Sequence, residues 1–260
     1  MIRAITSFGP KGYIEYGQRM IESFVKFWPQ SVTLHVTLDS MIGEQEKISS
    51  PNVIYEVLSS KGLAEFKSRH WSNQEAHGLG KHNKNGAPNF SFDAVRFSHK
   101  VFAVTENYRQ CPSGTLLWLD GDTRTHAPVT VELINTWCPT NKFAGFLDRP
   151  WLYTETGFHM WRLDNPVAAE FFKVWEEYYT SDRIFKLPAW TDCHTYDATR
   201  RQFDSALWHN LSPNFKHPHP FINGVLGEVM DHMKGPRKIT GRSHPRDLVI
   251  KRDGYWNDNI

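Results

Sequence analysis

The chain has 260 residues, 40% of them hydrophobic, 22% charged and 14% aromatic, with ten tryptophans and a formal net charge of +2. That length supports a substantial core, and the near-neutral balance excludes a polycation, so any attraction to polyanions has to come from local patches. No run approaches the ~18 apolar residues of a membrane span.

Ile2–Phe8 reads as a first strand, closed by Gly9, Pro10, Lys11 and Gly12. The opening Met1-Ile-Arg-Ala-Ile-Thr-Ser7 is too short an apolar stretch for a signal peptide and goes straight into structure, which leads to the expectation of a cytoplasmic protein. Cys111, Cys138 and Cys193 are odd in number and far apart, as befits reduced thiols, and they form no zinc motif. Tyr13–Trp28 carries apolar residues at 13, 16, 20, 24 and 27, the stripe of an amphipathic helix, and Pro29 closes it. Val32–Leu38 and Val53–Leu58 are further strands. Strand, helix, strand, strand is the opening of an α/β sheet.

Ser59–Ser91 differs in character. It has Lys61, Lys67, Arg69, Lys81 and Lys84 against two glutamates, three histidines and little periodicity. A loop this long inside a compact domain reads as a lid, a binding loop or a solvated basic insertion. Phe92–Tyr108 is helical in length and apolar around most of its circumference, so it should be largely buried. Arg96 and Lys100 lie four apart on it; they need anions nearby, or they reach out to solvent.

Thr115–Leu119 is a short apolar run suited to a buried central strand. At its end come Asp120 and Asp122, with Gly121 between them. Two-residue spacing in extended chain turns both carboxylates to one side, and two such charges repel unless a cation joins them. Hard divalent ions such as Mn²⁺ or Mg²⁺ use one or two carboxylates together with substrate phosphates in this way. The other reading is a plain Asp-Gly turn. Beyond it lie a short helix around Val129–Trp137, strands at Lys142–Leu147 and Thr156–Leu163, and a strong helix started by Pro166. A polar helical segment follows Trp190, Thr191 and Asp192. From His232 onward the tail holds seven Lys/Arg against three Asp.

These residues together resemble the GT-A glycosyltransferases, most closely family 8, which includes glycogenin and bacterial galactosyltransferases. Asp120-Gly-Asp122 looks like the family's Asp-x-Asp metal motif. His232-Met-Lys-Gly235-Pro-Arg-Lys238 fits its C-terminal His-x-x-Gly-x-x-Lys motif, about 110 residues later. There the histidine completes the metal site and the lysine meets the donor diphosphate. Thr6 and Tyr13 resemble the nucleotide contact of the first strand, with the tyrosine stacked on the base. Arg96 stands where the family keeps a basic residue. Glu155-Thr-Gly157 replaces the usual Asn-Ser-Gly, and Trp190-Thr-Asp192-Cys the usual Asp-Gln. Asn89–Phe102 and His217–Arg242 also look like glycosyltransferases inferred in phages and large viruses.

The resemblance implies a single GT-A domain over residues 1–260, a Rossmann-like mixed sheet flanked by helices. Residues 1–122 would form the nucleotide-sugar half, with the basic insertion at 59–91, and 123–231 the acceptor half. Residues 232–260 would close the metal and diphosphate site. It implies a metal-dependent, retaining enzyme using a nucleotide sugar, a UDP-sugar being the expected donor. The metal ligands would be Asp120, Asp122 and His232. The donor contacts would be Thr6, Tyr13, Arg96, Lys100, Asp120, Gly235 and Lys238. Asp192, then Glu155, then Asp148 are the candidates for facing the reacting sugar, and each also reads as a cap or an ion-pair partner. The acceptor hydroxyl is either a hydroxymethylated base in viral DNA, which the basic loop with Trp71 would suit, or a saccharide. Rival readings are a nucleotidyltransferase, for which Gly9–Gly12 is too sparse a phosphate loop, and a non-catalytic nucleic-acid-binding module on the same fold.

Overall fold

The computed structural model describes residues 1–83, 86–149, 151–213, 219–235, 237–241 and 247–249. Of the basic stretches singled out above, Lys84, Arg242, Arg246, Lys251 and Arg252 lie outside the described residues.

The first strand, β1 (Ile2–Phe8), is followed by one continuous helical run. It passes through Pro10–Gly12 and a π-helical turn, Tyr13–Gly17, into α1 (Gln18–Phe27). Trp28 leaves the helix with extended backbone, as a residue ahead of proline should. Strands β2 (Val32–Leu38) and β3 (Val53–Val57) come next. The region expected to be an irregular insertion instead contains a helix, α2 (Lys61–His70), followed by short 3₁₀ turns. Ser60 caps that helix through Leu63 N–H, and Leu63, Phe66 and His70 bury one face of it. Three buried positions among polar neighbours give too weak a period to stand out from the composition.

Helix α3 (Ala94–Gln110) is capped by Asp93 and buried along most of its length, Lys100 included, as expected. The central strand β4 (Thr115–Leu119) is buried at every residue. After it come β5 (Thr123–Thr125), α4 (Val131–Trp137), β6 (Ala144–Leu147) and β7 (Glu155–Arg162). The remaining main elements are α5 (Ala168–Thr180), α6 (Asp192–Arg200), β8 (Trp208–Asn210) and β9 (Met230–His232).

Seven strands form one sheet in the order β3-β2-β1-β4-β7-β6-β8. The β3-β2-β1-β4 half is parallel, and β7 runs antiparallel to both β4 and β6. An aromatic core with Phe102, Trp161, Phe171, Trp175 and Tyr196 covers one face. Tyr13, Phe24, Trp28, Trp137 and Phe158 fill the other. Strand order reverses between β1 and β4, and open α/β sheets bind ligands outside the carboxyl ends of strands at such a reversal. Asp120-Gly-Asp122 follows β4 at that point. This is the α/β layout expected from the sequence: a Rossmann-like mixed sheet flanked by helices, with an Asp-x-Asp motif at the end of its central strand.

Candidate active site

A cleft of about 1040 Å³ opens at the carboxyl ends of β1 and β4. The chain's most distant motif halves meet on its floor. The two-stranded β5–β9 ladder pairs Thr123 with His232, and Met233 N–H donates to Asp122 O at 3.0 Å. The ladder thereby sets His232 beside the two aspartates. His232 Nε2 lies 3.2 Å from Asp122 Oδ1 and 3.5 Å from Asp120 Oδ2. One donor atom from each of the three residues falls within 4.8 Å of the others. Two carboxylate oxygens and an imidazole nitrogen suit Mn²⁺ or Mg²⁺, so the residues present fit the expected metal. Gly157 makes room for this arrangement, because a Cβ there would come within 2.5 Å of the His232 ring.

An imidazole and two lysines stand against the carboxylate charge. Burial by itself would lower the His232 imidazole, but Asp122 and hydrogen bonds to both aspartates outweigh it and raise the group to about 9. A metal ligand has to give up that proton. Burial likewise opposes the ionised Asp120, yet Lys100 and His232 hold it well below the usual carboxylate range. Asp122 is also lowered, burial being outweighed by His232 and Lys238.

Lys238 Nζ sits 2.9 Å from Asp122 Oδ2 and 4.6 Å from the Tyr16 ring centroid. Lys100 is buried. Its ammonium lies 2.8 Å from Asp120 Oδ1, donates to Asp192 Oδ2 at 2.5 Å and to Thr156 O at 2.7 Å. Asp192 is therefore not a cap: Thr191 holds that position, and Asp192 is the first, buried residue of α6. Glu155 is buried against Lys234, with Arg149 Nη1 at 3.5 Å and His232 Nδ1 at 3.7 Å. Burial opposes its charge, but Lys234, His232 and Arg149 together keep it ionised well below the usual range.

Asp120, Asp122, His232, Lys100 and Lys238 share the cleft, and Asp192, Glu155, Arg96 and Gly235 line it with them. Three expected residues stand elsewhere. Thr6 is fully buried within β1. Tyr13 is fully buried too, edge-on to Phe8 and donating its hydroxyl to Glu46 O at 2.7 Å. The π-helical turn carries one residue more than an α-helical turn, which rotates Tyr13 into the core and leaves Tyr16 facing the cleft. Asp148 does not line the cleft; its backbone bonds to Asn210 and Ser212 at the β6–β8 end of the sheet.

Residues missed in the sequence are Tyr16, Asp39, His99, Arg149 and Lys234, all lining the cleft. Lys234 sits inside the His-x-x-Gly-x-x-Lys motif and was the most findable of them. For the basic insertion, Lys61 pairs with Glu65, Lys81 with Glu75, and Arg69 with Asp182. No helix among the described residues is long and apolar enough to cross a membrane.

No family model matches the chain, and no curated protein matches it. Among solved structures, mouse xyloside xylosyltransferase 1 in its apo form is similar at 11% identity and a TM-score of 0.46, over 81% of this chain and 85% of that one. The apo bifunctional glycosyltransferase WbbM gives 13% identity and a TM-score of 0.44, over 81% of this chain and 38% of that one. A glycosyltransferase involved in glycosylation of the major capsid of PBCV-1 gives 13% and 0.46, over 93% and 98%. With TM-scores below 0.5, these matches decide neither reaction nor substrate.

Proposed function

We propose that the chain is a glycosyltransferase that moves a sugar from a nucleoside-diphosphate sugar to an acceptor hydroxyl. The observation that carries this reading is the convergence of Asp120, Asp122 and His232 on the floor of a large cleft, with Lys238 on Asp122. Asp120, Asp122 and His232 would hold Mn²⁺ or Mg²⁺, which supplies Lewis-acid stabilisation of the departing diphosphate. Lys238 and Arg96 add positive charge where that negative charge develops. Asp192, paired with Lys100, and Glu155, paired with Lys234, face the opposite charge that builds at the sugar carbon. Each carboxylate is already engaged by an ammonium group. Neither is therefore a free base, which favours a retaining course in which the leaving phosphate takes the acceptor proton. A UDP-sugar is the donor proposed from the motif resemblance.

Of the two acceptors, a saccharide hydroxyl is the better supported. Among the described residues of the basic insertion, Lys61, Arg69 and Lys81 are each paired with an acid, which offsets much of the positive charge a DNA backbone would meet at those three positions.

The test is a thermal-shift panel of nucleotide sugars with and without Mn²⁺, followed by transfer assays on saccharides and on hydroxymethylated oligonucleotides. Metal-dependent stabilisation by one donor and transfer to sugars are expected. Stabilisation by nucleoside triphosphates alone would point to nucleotidyl transfer. Salt-dependent transfer to the modified base would restore DNA as the acceptor.

A further inference from the structure

Lys238 reaches the candidate metal site on a piece of chain too short to hold itself in place. It lies in a single helical turn, Arg237–Thr240, and one turn makes too few hydrogen bonds to offset the cost of starting a helix. Two arginines supply what the turn lacks. Arg19, on α1, donates Nη1–H to Lys238 O at 3.1 Å and to Ile239 O at 3.4 Å. Arg124, on β5, donates Nη1–H to Gly241 O at 2.8 Å. Carbonyls at the end of a helix have no partner within it, and basic side chains are their usual donors. Gly241 adopts φ +74°, and a Cβ on it would lie 2.7 Å from Arg19 Nη1. Glycine there both ends the turn and leaves room for the guanidinium. Every hydrogen bond the two guanidiniums make among the described residues goes to a main-chain carbonyl of this turn or of Gly241. The two arginines also stand on one base, since Thr125 N–H of β5 donates to Ser23 Oγ of α1 at 3.0 Å and Trp28 Nε1–H to Thr125 Oγ1 at 2.9 Å.

From this geometry we infer that Arg19 and Arg124 are positioning residues that lock the turn from behind, so that the Lys238 ammonium stands 2.9 Å from Asp122 Oδ2 before a donor arrives. This rests on the glycosyltransferase reading above, in which Lys238 meets the diphosphate. Neither arginine lines the cleft, so neither reaches the donor directly; each acts through the backbone that carries Lys238. Affinity for a phosphate ligand then scales with the fraction of molecules in which the turn is in place. Releasing the turn forfeits at most what Lys238 contributes, and a nucleoside without phosphates is bound as before. That ceiling separates a positioning role from a direct phosphate contact, whose loss would add to the loss of Lys238.

Hydrogen exchange and titration calorimetry on wild type, Arg19→Met and Arg124→Met test the inference. The first measurement needs no ligand. In metal-free protein, Lys238 N–H bonds to Gly235 O and Gly241 N–H to Arg237 O. Exchange over residues 237–241 should quicken by roughly 10-fold in either variant, the worth of a hydrogen bond from a charged group. Exchange over the β5–β9 ladder should stay at the wild-type rate. In Mn²⁺, Arg19→Met should weaken nucleoside diphosphate binding by about 3- to 10-fold and leave nucleoside binding unchanged. In a Lys238→Ala background the same substitution should cost nothing further, and Arg19→Lys, which keeps one cationic donor, should recover part of the loss. Unchanged exchange over 237–241 in both variants overturns the inference. So does an Arg19→Met loss of equal size with and without Lys238, which would make Arg19 a phosphate contact or a general structural support. Wild-type protein that binds no nucleoside diphosphate removes the donor reading and the role it gives Lys238, a distinct failure, because the exchange measurement still decides whether the arginines hold the turn.

Discussion

Replacing Lys100 with methionine keeps the stem and removes the ammonium, which asks whether the buried charge cluster is one unit. The side chain is only 10% exposed, and its nitrogen lies 2.8 Å from Asp120 and 2.5 Å from Asp192. Removing it leaves Asp120 and the buried Asp192 without the cation they share, with Thr156 O also losing its donor. Truncating one partner of a buried pair costs about 3–5 kcal/mol, against a total stability of roughly 5–15 kcal/mol. For a chain of this size each kcal/mol shifts Tm by roughly 2–4 °C, so Lys100→Met in metal-free buffer at pH 7 should melt about 6–20 °C below wild type. Lys61→Met is the control: its 3.7 Å pair with Glu65 is solvent-exposed, and its Tm should move by less than about 2 °C. Differential scanning calorimetry decides the matter. A Lys100→Met protein melting as close to wild type as the control would refute the reasoning, because the carboxylates would not depend on the ammonium at all.

Asp120→Asn, Asp122→Asn and His232→Ala should each abolish the Mn²⁺-dependent thermal shift with donor nucleotide while far-UV circular dichroism stays unchanged; retained shifts in all three would remove the metal site. Lys238→Ala should weaken nucleoside diphosphates about 10-fold more than nucleosides by calorimetry, since the lost contact is a charge-assisted one to phosphate. Tyr16→Ala should weaken both classes alike, whereas Tyr13→Ala, emptying a core position, should lower Tm by the equivalent of about 3–5 kcal/mol; the reverse pattern would return the nucleotide contact to Tyr13. Gly157→Ala should lose most Mn²⁺ affinity, because the added methyl meets the His232 ring at 2.5 Å, and unaltered metal binding would contradict that geometry.

The local signals were strong where burial and chain direction agree. Ile2–Phe8 and Val32–Leu38, with polar residues interspersed, and the nearly continuous apolar run Thr115–Leu119 each form the strand their pattern describes, because strands in the middle of a covered sheet keep apolar residues on their buried faces. The carboxylate pair at Asp120 and Asp122 was legible for a similar reason, since two-residue spacing and the preceding strand are local properties. Helix α2 was obscured because its three buried residues, one of them a histidine, sit among lysines, a glutamate and an arginine, and only packing against the core reveals the stripe.

The sequence by itself thus determined the α/β class, the position of the central strand and the chemistry of the candidate metal ligands, all of which follow from residue type and short-range spacing. Tertiary structure decided the rest. The β5–β9 ladder brings His232 to Asp122 across 110 residues, and no periodicity encodes such a pairing. One extra residue in a helical turn exchanges Tyr13 for Tyr16 at the cleft wall. Lys100 finds Asp192 only because α3 and α6 pack on the same face of the sheet. Asp39 and His99, 60 residues apart, meet through the order β2-β1-β4 and the helix that precedes β4. The β5–β9 ladder, the Lys100–Asp192 pair and the Asp39–His99 pair are non-local contacts whose energy depends on burial and on partners delivered by other elements, and none of the three can be read from one stretch of chain.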